Sequence, residues 1–401
     1  MNWWRITVDL IRKHGGYDTY SIKGRYASAL LTIDDLDAEA VSQLYGLLNA
    51  VSSEGSNIAI MPDGHPGGSC LVGFTQRFLD DAETRIVPNF VGGDIACGIF
   101  AWPIGRDVPD LDKLDGFLRA KYLNRATREN SVSRFVSDSE KDLFGAADDR
   151  LARIGHRVLG EVVCRVPAVM QLGTLGGGNH FISLERSEKS GMVYLIVHTG
   201  SRHFGKAVCK VFQQMAANAH PKGCPHGLEY LAPEDAGYEG YLDFMDIGIA
   251  FARRNKEVIA SEIADFLKLD LLPGAIKTNH NYFDRITRTI RKGAVSAQSG
   301  ETYLCPINMR DGTFVCVGKG NTGWNCSAPH GAGRLMSRGD AKAALELSEI
   351  KRNLGSLYTT TIDTSIDEAP EAYKSLDFIR EHITPTGEIA DRLIPIYNFK
   401  G

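Results

Sequence analysis

The chain has 401 residues, of which 43% are hydrophobic and 23% charged, and its formal net charge is −4 with a pI of about 6.3. This composition is ordinary for a globular protein that buries a large core. No low-complexity stretch, linker or internal repeat divides it, so we expect one domain over residues 1–401. A nucleic-acid partner would need a local basic patch, because the overall charge does not favour one.

Signals for membranes and secretion are missing. The first ten residues carry Arg5 and Asp9 in place of the apolar core of a secretory signal. No apolar run approaches the roughly 18 residues of a membrane span. Eight cysteines are scattered without a CxxC pair, which is typical of a reducing compartment where cysteines are free or metal-bound. We therefore expect a cytoplasmic protein without a membrane partner.

Hydrophobic periodicity predicts the secondary structure in chain order. The first helix is expected over 34–48, with Asp34 or Asp35 as its cap, followed by a strand over 57–61 that ends at a turn, 62–64. Further strands are expected over 86–91, 193–197 and parts of 302–317, and further helices over 111–121, 141–159, 204–218, 241–266 and 379–381. Because no steady βαβ repeat is present, we expect an α+β fold.

Asp94 and Cys97 are the first candidate metal ligands. They are three residues apart, so on a tight turn both can face one cation. A carboxylate with a thiolate suits a borderline divalent metal such as manganese, zinc, iron or cobalt. Nearby glycines, Gly92, Gly93 and Gly98, allow a close backbone approach and favour a site. The alternative is a buried structural cysteine beside a turn aspartate.

Three histidines are further candidate ligands. His180 comes just after three consecutive glycines, which cost backbone entropy and therefore indicate that another group must approach the backbone closely there. The alternative is a hydrogen-bonded histidine in a flexible loop. His198 ends a strand four residues before Arg202, which can grip a phosphate with two N–H groups. The alternative is that this strand end lies at the surface and Arg202 is simply exposed. For His280 the same two interpretations, metal ligand or surface residue, stay open. The segment 220–226 could also bind a metal, but its prolines favour a surface loop.

His330 has different surroundings. Pro329 precedes it, and the small residues 331–333 leave space around its ring. Neutral imidazole is a competent nucleophile toward phosphorus, and Arg334 and Arg338 could neutralise a transferred phosphate. From residue types alone, His330 could equally be a metal ligand.

Ordered motifs resemble the RtcB family of RNA ligases, which join a 2′,3′-cyclic phosphate or 3′-phosphate end to a 5′-hydroxyl end. The resemblance runs from about Met61 to Gly401 and leaves about the first 20 residues unmatched. It rests on the segments 61–67, 91–98, 172–181, 198–202, 291–294, 330–338 and 368–374 and on His280. It implies a single compact α+β domain of the RtcB type, with central β-sheets and a metal-binding cleft.

The resemblance also implies a role for each matching residue. His330 would be the catalytic nucleophile that GTP converts into a histidine–GMP adduct, and Cys97 would bridge two manganese ions, with zinc or cobalt as alternatives. The implied metal ligands are Asp94, Cys97, His180, His198 and His280. The implied nucleotide-binding residues are Asn179, Phe181, Arg202, Asn308, Thr313, His330, Gly331, Ala332, Gly333, Tyr373 and Lys400. The implied RNA- and phosphate-binding residues are Asp63, Arg202, Arg334 and Arg338.

The implied reaction passes through an activated RNA-ppG end in RNA repair or tRNA splicing, with RNA as substrate and an archease-like helper as a further partner. Two alternatives stay open. The first is a binuclear metal-dependent phosphoesterase, although a hydrolase has no need of His330, Arg334, Tyr373 and Lys400 together. The second is a catalytically weak RNA-binding repair subunit, which only the altered base pocket supports.

Departures from the family pattern are concentrated in this base pocket. The family usually has a glutamate that reads the guanine edge two residues after the motif 179–181, and Ser183 stands there. Asn308 and Arg310 replace a small, glycine-flanked turn. Because losing a buried recognition group can change specificity by orders of magnitude, the sequence predicts weakened guanine selectivity or a different nucleotide.

Overall fold

The computed structural model describes residues 9–14, 17–33, 36–123, 132–221 and 224–401. Within them, sixteen strands form two seven-stranded sheets and one two-stranded sheet. The strands are β1 (Asp9–His14), β2 (Tyr17–Lys23), β3 (Ser28–Leu31), β4 (Ser56–His65), β5 (Val72–Phe78), β6 (Gly98–Gly105), β7 (Phe181–Ser187), β8 (Val193–Thr199), β9 (Ile276–Asn279), β10 (Asn281–Asp284), β11 (Thr289–Lys292), β12 (Ala294–Ser296), β13 (Thr302–Asn308), β14 (Gly312–Gly318), β15 (Ser327–Pro329) and β16 (Gly387–Lys400).

Ten α-helices accompany these strands in the described ranges. They are α1 (Ala38–Leu48), α2 (Pro88–Val91), α3 (Leu111–Leu118), α4 (Asp138–Leu159), α5 (Ala168–Gln171), α6 (Arg202–Ala219), α7 (Tyr238–Leu267), α8 (Arg338–Ala344), α9 (Leu347–Asn353) and α10 (Leu376–His382). None of the helices in these ranges is long and apolar enough to cross a membrane. All eight cysteines of the chain are described, and none forms a disulfide.

The two large sheets differ in strand order. The first has the order β1-β2-β3-β4-β5-β11-β10, with one parallel pair, β3 and β4. The second has the order β13-β14-β16-β7-β8-β6-β9, and every pair in it is antiparallel. Helices pack against sheets that are mainly antiparallel, with a single βαβ unit, β3-α1-β4, among the described strands, so the expected α+β class is confirmed.

Helix α7 connects the two main hydrophobic cores. It is 30 residues long, and its residues Phe244 and Phe251 pack into the core beneath the first sheet. Further along the same helix, Ile259 and Ile263 pack into the second core, beneath strands β6, β7 and β8. Burying a large apolar side chain contributes about 1.5–3 kcal/mol, so this helix ties both sheets into one packed unit.

Most of the predicted elements are confirmed. The strand over 193–197 is β8, the alternating segment 302–317 is the β13–β14 hairpin, and the predicted helices correspond to α3, α4, α6, α7 and α10. Helix α1 begins later than predicted, at Ala38, and Asp37 is its cap because its side chain accepts a hydrogen bond from the backbone N–H of Glu39. Asp34 and Asp35 lie outside the described residues.

Two local predictions were wrong. The apolar run 86–91 forms the short helix α2 in place of a strand, because Pro88 occupies its first turn, where the missing N–H has no cost. The predicted turn over 62–64 does not end strand β4, which continues to His65 with a shift of register after Ile60. This irregularity turns the carboxylate of Asp63 into the interior, where it is fully buried.

Candidate active site

Four neighbouring strands deliver the predicted metal ligands to one edge of the second sheet. The strands have the order β7-β8-β6-β9. His180 lies just before β7, His198 is the second-last residue of β8, Cys97 lies just before β6, and His280 follows β9. Because neighbouring strands are antiparallel, the starts of β7 and β6 meet the ends of β8 and β9 at the same edge.

The side chains at this edge form one cluster around Cys97. Its sulfur lies 3.3 Å from Nε2 of His180 and 3.3 Å from Nε2 of His198. Nε2 of His180 is in turn 2.9 Å from a carboxylate oxygen of Asp94. Two triads result, Cys97 with His198 and His280, and Asp94 with Cys97 and His180, and in each triad the ligand atoms lie within 4.8 Å of one another. Cys97 belongs to both triads.

The cluster fits a metal centre. Asp94 Oδ1 and His198 Nδ1 are buried and have no hydrogen-bond partner among the described residues, which is costly unless a ligand satisfies them. Thiolate, imidazole and carboxylate together suit a borderline divalent metal. The backbone carbonyl of Leu175 lies 3.0 Å from His180 Nδ1 and orients the ring, which leaves Nε2 for a metal.

The electrostatics of the cluster also suit metal binding. Burial lowers the pKa of His198 and of His280 well below the usual value, so both imidazoles are neutral and keep a lone pair for a cation. Burial raises the pKa of Asp94, but His180 and Arg202 outweigh it and hold that pKa below its usual range. Burial and the neighbouring Asp94 raise the pKa of Cys97, so the thiol needs a bound cation to ionise.

His330 lies next to this cluster, directly after β15. Its ring centroid is 4.7 Å from that of His280. The Asp63 carboxylate accepts hydrogen bonds from His330 Nδ1 at 2.6 Å, from the His330 backbone N–H at 3.0 Å and from that of Gly331 at 3.3 Å. Nδ1 therefore carries the proton, and Nε2 keeps its lone pair free. Asp63 therefore holds the ring of His330, and its predicted contact with phosphate stays a prediction.

Most of the predicted site residues line one cleft of about 700 Å³. They are Asp94, Cys97, Asn179, Phe181, His198, His280, Asn308, Thr313, His330, Gly331, Ala332, Gly333, Arg334, Arg338, Tyr373 and Lys400. His180, Arg202 and Asp63 are not among the lining residues. The Arg202 guanidinium lies 3.2 Å from His180 Nδ1, and its predicted contact with phosphate stays a prediction.

A buried glutamate that the sequence prediction did not assign organises the basic side of the cleft. Glu368 is 2% exposed. Its carboxylate accepts hydrogen bonds from the Tyr373 hydroxyl at 2.6 Å and Lys400 Nζ at 2.9 Å, and it pairs with Arg334 at 3.2 Å and Arg338 at 2.5 Å. Burial raises the pKa of Glu368, but Lys400 and Arg338 outweigh it and lower the pKa. Glu368 lies in the segment 368–374 that matches the family, and this match could have identified it as a site residue.

Asn308 illustrates how a cleft residue can have a structural task. Its side-chain oxygen accepts hydrogen bonds from the backbone N–H groups of Arg310, at 3.0 Å, and Asp311, at 2.8 Å. Its amide nitrogen donates to the Asp311 carboxylate at 2.8 Å. These bonds close the turn between β13 and β14, as asparagine side chains commonly do. The polar atoms of Asn308 are therefore engaged in the turn.

The segment 220–226, weighed above as a second metal site, has a structural explanation. His220 Nε2 lies 2.9 Å from an Asp235 carboxylate oxygen, and the His220 ring stacks on Tyr230 with centroids 4.0 Å apart. Residues 222 and 223 lie outside the described part. Among the residues that the structure does describe, the groupings able to hold a metal are the two triads around Cys97.

Fold and site together define a class: an α+β protein in which a buried cluster of candidate metal ligands adjoins a histidine with one ring nitrogen free for nucleophilic attack. The family model of the tRNA-splicing ligase RtcB matches residues 161–401, and the chain therefore belongs to the RtcB family. The resemblance noted from the motifs is confirmed.

Curated relatives match over most of their length. The RNA-splicing ligase RtcB of Escherichia coli (strain K12) is 28% identical over 381 residues, which cover 86% of this chain and 90% of the relative. The tRNA-splicing ligase RtcB of Aeropyrum pernix is 25% identical over 465 residues, covering 93% of this chain and 95% of the relative. The chain is thus similar to ligases of both bacterial and archaeal origin.

Proposed function

We propose that the protein is an RNA ligase that joins a 3′-phosphate or 2′,3′-cyclic phosphate end to a 5′-hydroxyl end through a nucleotidyl adduct on His330. The observation that carries the proposal is the position of His330. Asp63 holds its Nδ1 at 2.6 Å, and its ring lies 4.7 Å from that of the predicted metal ligand His280. Membership of the RtcB family and the names of the relatives support the same reaction.

The proposed reaction begins with the free nitrogen of His330. Nε2 attacks the α-phosphorus of GTP, which forms an N–P bond and releases pyrophosphate. Asp63 keeps the proton on Nδ1 and stabilises the positive charge that develops on the ring. A 2′,3′-cyclic phosphate must first be opened by water, which breaks the bond from phosphorus to O2′ and leaves a 3′-phosphate. An oxygen of the RNA 3′-phosphate then attacks the same phosphorus, breaks the N–P bond and gives RNA-ppG. The 5′-hydroxyl finally attacks the RNA phosphate, seals the strand and releases GMP.

A metal centre is part of the proposal. Asp94, Cys97, His180, His198 and His280 would hold two cations, with Cys97 shared, because the two triads meet at its sulfur. We propose manganese, although the same donors accept zinc or cobalt. When bound, the ions would offset the charge on the attacked phosphate and orient the leaving pyrophosphate.

The basic side of the cleft would position the phosphates and the RNA end. Arg334 and Arg338 line it, and Lys292 lies at the same surface. These cations would contact phosphate groups, and ion pairs with Glu368 hold Arg334 and Arg338 in place. An archease-like helper and a cytoplasmic location stay predictions from the sequence.

Ligation of synthetic RNA tests this proposal. One RNA carries a labelled 3′-phosphate or 2′,3′-cyclic phosphate, and the other a 5′-hydroxyl end. We expect a joined product that requires GTP and a divalent metal and is not formed by His330→Ala. A matched control is His156→Ala, since this histidine is exposed on α4. Removal of the end phosphate without joining, and without any need for a nucleotide, would show a phosphoesterase instead.

A further inference from the structure

A buried lysine that takes no part in the proposed reaction contacts the turn that carries two of the candidate metal ligands. Lys256, on helix α7, is fully buried. Its Nζ donates hydrogen bonds to the backbone carbonyl of Ala96 at 3.0 Å and to that of Ala252, one turn earlier in the same helix, at 3.2 Å. Nζ also lies 4.7 Å from the ring centroid of Phe100, within the range of a cation–π interaction. Because burying an ammonium group is costly, a lysine at this point indicates a task that an apolar residue would not perform.

The carbonyl that Lys256 holds belongs to a residue between two candidate ligands. Residues 94–97 form a turn in which the backbone N–H of Cys97 donates to the carbonyl of Asp94 at 3.1 Å. Within this turn Ala96 has a φ of 49°, in the left-handed region that residues other than glycine adopt only at a cost. Such a conformation persists only when surrounding contacts hold it. The turn therefore depends on residues outside it.

Asn281 and Lys256 supply these outside contacts. The backbone N–H of Ala96 donates to the backbone carbonyl of Asn281 at 2.6 Å, and the side-chain amide of Asn281 donates to the carbonyl of Asp94 at 3.3 Å. The carbonyl of Ala96 accepts from Lys256. Both backbone polar groups of Ala96 are thus bonded to residues that are distant in the sequence. The contact from helix α7 to this carbonyl is made by the side chain of Lys256 alone, so a substitution can remove it without changing the strands.

We propose that Lys256 is a positioning residue for the metal centre, because it holds Ala96 in the conformation that directs the side chains of Asp94 and Cys97 into one cluster. This inference rests on the metal centre of the proposed function. Without the bond from Lys256, the peptide after Ala96 would rotate toward ordinary backbone conformations, and the two ligand side chains would no longer be held together. Both metal triads would weaken, since Cys97 belongs to both of them and Asp94 to one.

Titration of the metal-free protein with cobalt(II) tests this role. Cobalt suits the same donors, and its bond to a thiolate has a charge-transfer absorption in the near ultraviolet. Lys256→Met keeps an unbranched side chain and removes all three N–H donors. We expect its dissociation constant for cobalt to rise about 10–100-fold, as is typical when a group that orients metal ligands is lost. The charge-transfer absorption per bound cobalt should also weaken, because Cys97 is held less firmly. A loss of stability alone would not weaken it.

Lys277→Met is the matched control. Lys277 is exposed, and its Nζ lies 5.5 Å from the centroid of the same Phe100 ring, but it pairs with Glu257 at 3.0 Å. This variant should bind cobalt as the wild-type protein does, with the same charge-transfer absorption. If melting curves show that Lys256→Met does not fold, Lys256→Gln takes its place. Its side chain is shorter and uncharged, so it would not hold the carbonyl of Ala96, and the same rise in the dissociation constant is expected.

The outcomes separate this inference from the proposed function. A Lys256→Met variant with unchanged cobalt affinity, or one with weaker affinity but unchanged charge-transfer absorption, would overturn the positioning role and leave the metal centre standing. An equal loss of affinity in Lys277→Met would also overturn it. Wild-type protein that binds no cobalt, or binds it without the thiolate absorption, would overturn the metal centre itself.

Discussion

Two parts of the cleft are built in different ways: the metal end, which is the candidate cluster around Cys97, and the wall that carries Glu185 and Asn398. At the metal end, Cys97, His198 and His280 come from the termini of three adjacent strands and converge through backbone register. At the second wall, Glu185 and Asn398 come from strands β7 and β16 and project from the face of the sheet. The first set depends on where strands begin and end, and the second on which face a side chain occupies.

This difference teaches which substitutions each end tolerates. If a metal ligand at a strand terminus were placed one position along the sequence, its side chain would point to the opposite face of the sheet. Placed two positions along, it would lie outside the cluster. Within a strand, by contrast, a cleft-lining side chain two residues further along still projects from the same face of the sheet. The carboxylate at Glu185, with Ser183 two residues before it, is an arrangement of that kind.

The largest effect is expected at the residue shared by both metal triads. Cys97→Ala removes a ligand from each triad, and we expect ligation to fall by at least about 1000-fold, beyond the 10–100-fold typical for residues that only support ligands. Metal content measured by mass spectrometry should fall in parallel. Cys164→Ala is the control, since that thiol is half-buried and distant from the cleft. Full metal content in Cys97→Ala would contradict the shared-ligand arrangement.

A smaller effect is expected at the carboxylate that positions the nucleophile. Asp63→Asn keeps the shape but weakens the hold on His330 Nδ1, and we expect adduct formation to slow by about 100-fold or more. Nitrogen NMR of labelled histidine should show a mixture of ring tautomers, which a purely structural role would not produce. An unchanged rate with a single tautomer would show that Asp63 does not position the ring.

A more modest effect is expected on the basic side. Tyr373→Phe removes the hydroxyl that donates to Glu368 at 2.6 Å and accepts from Arg334 at 3.2 Å. Because hydrogen bonds to charged groups contribute about 1.5–3 kcal/mol, we expect KM for the nucleotide to rise about tenfold with kcat little changed. Tyr358→Phe, outside the cleft, should leave both constants unchanged. A fall in kcat alone would place Tyr373 in the chemical step.

The smallest effect on catalysis is expected at the turn between β13 and β14. Asn308→Ala removes the acceptor for two backbone N–H groups, so it should lower the free energy of unfolding by about 1 kcal/mol. KM for the nucleotide should change less than about threefold. Denaturant unfolding and steady-state kinetics measure the two quantities. A large rise in KM with unchanged stability would restore Asn308 as a nucleotide-binding residue.

The metal end was predictable because each ligand lies in a short, turn-rich or glycine-rich patch next to an apolar run. The second wall was not, since Glu185, Thr313 and Asn398 meet only through pairings between strands that are distant in the sequence. Contacts of individual side chains were not predicted either: Arg202 lies against His180, and Asn308 closes a turn. The helix α2 was mistaken for a strand because its apolar residues suit either structure, and Pro88 decided the outcome.

The mass of the intact protein after incubation with GTP and manganese tests the central claim most directly. The account predicts an added guanylyl group that acid removes, that peptide mapping assigns to His330, and that His330→Ala does not acquire. Wild-type protein of unchanged mass, or an adduct on a different residue that persists in His330→Ala, would contradict it.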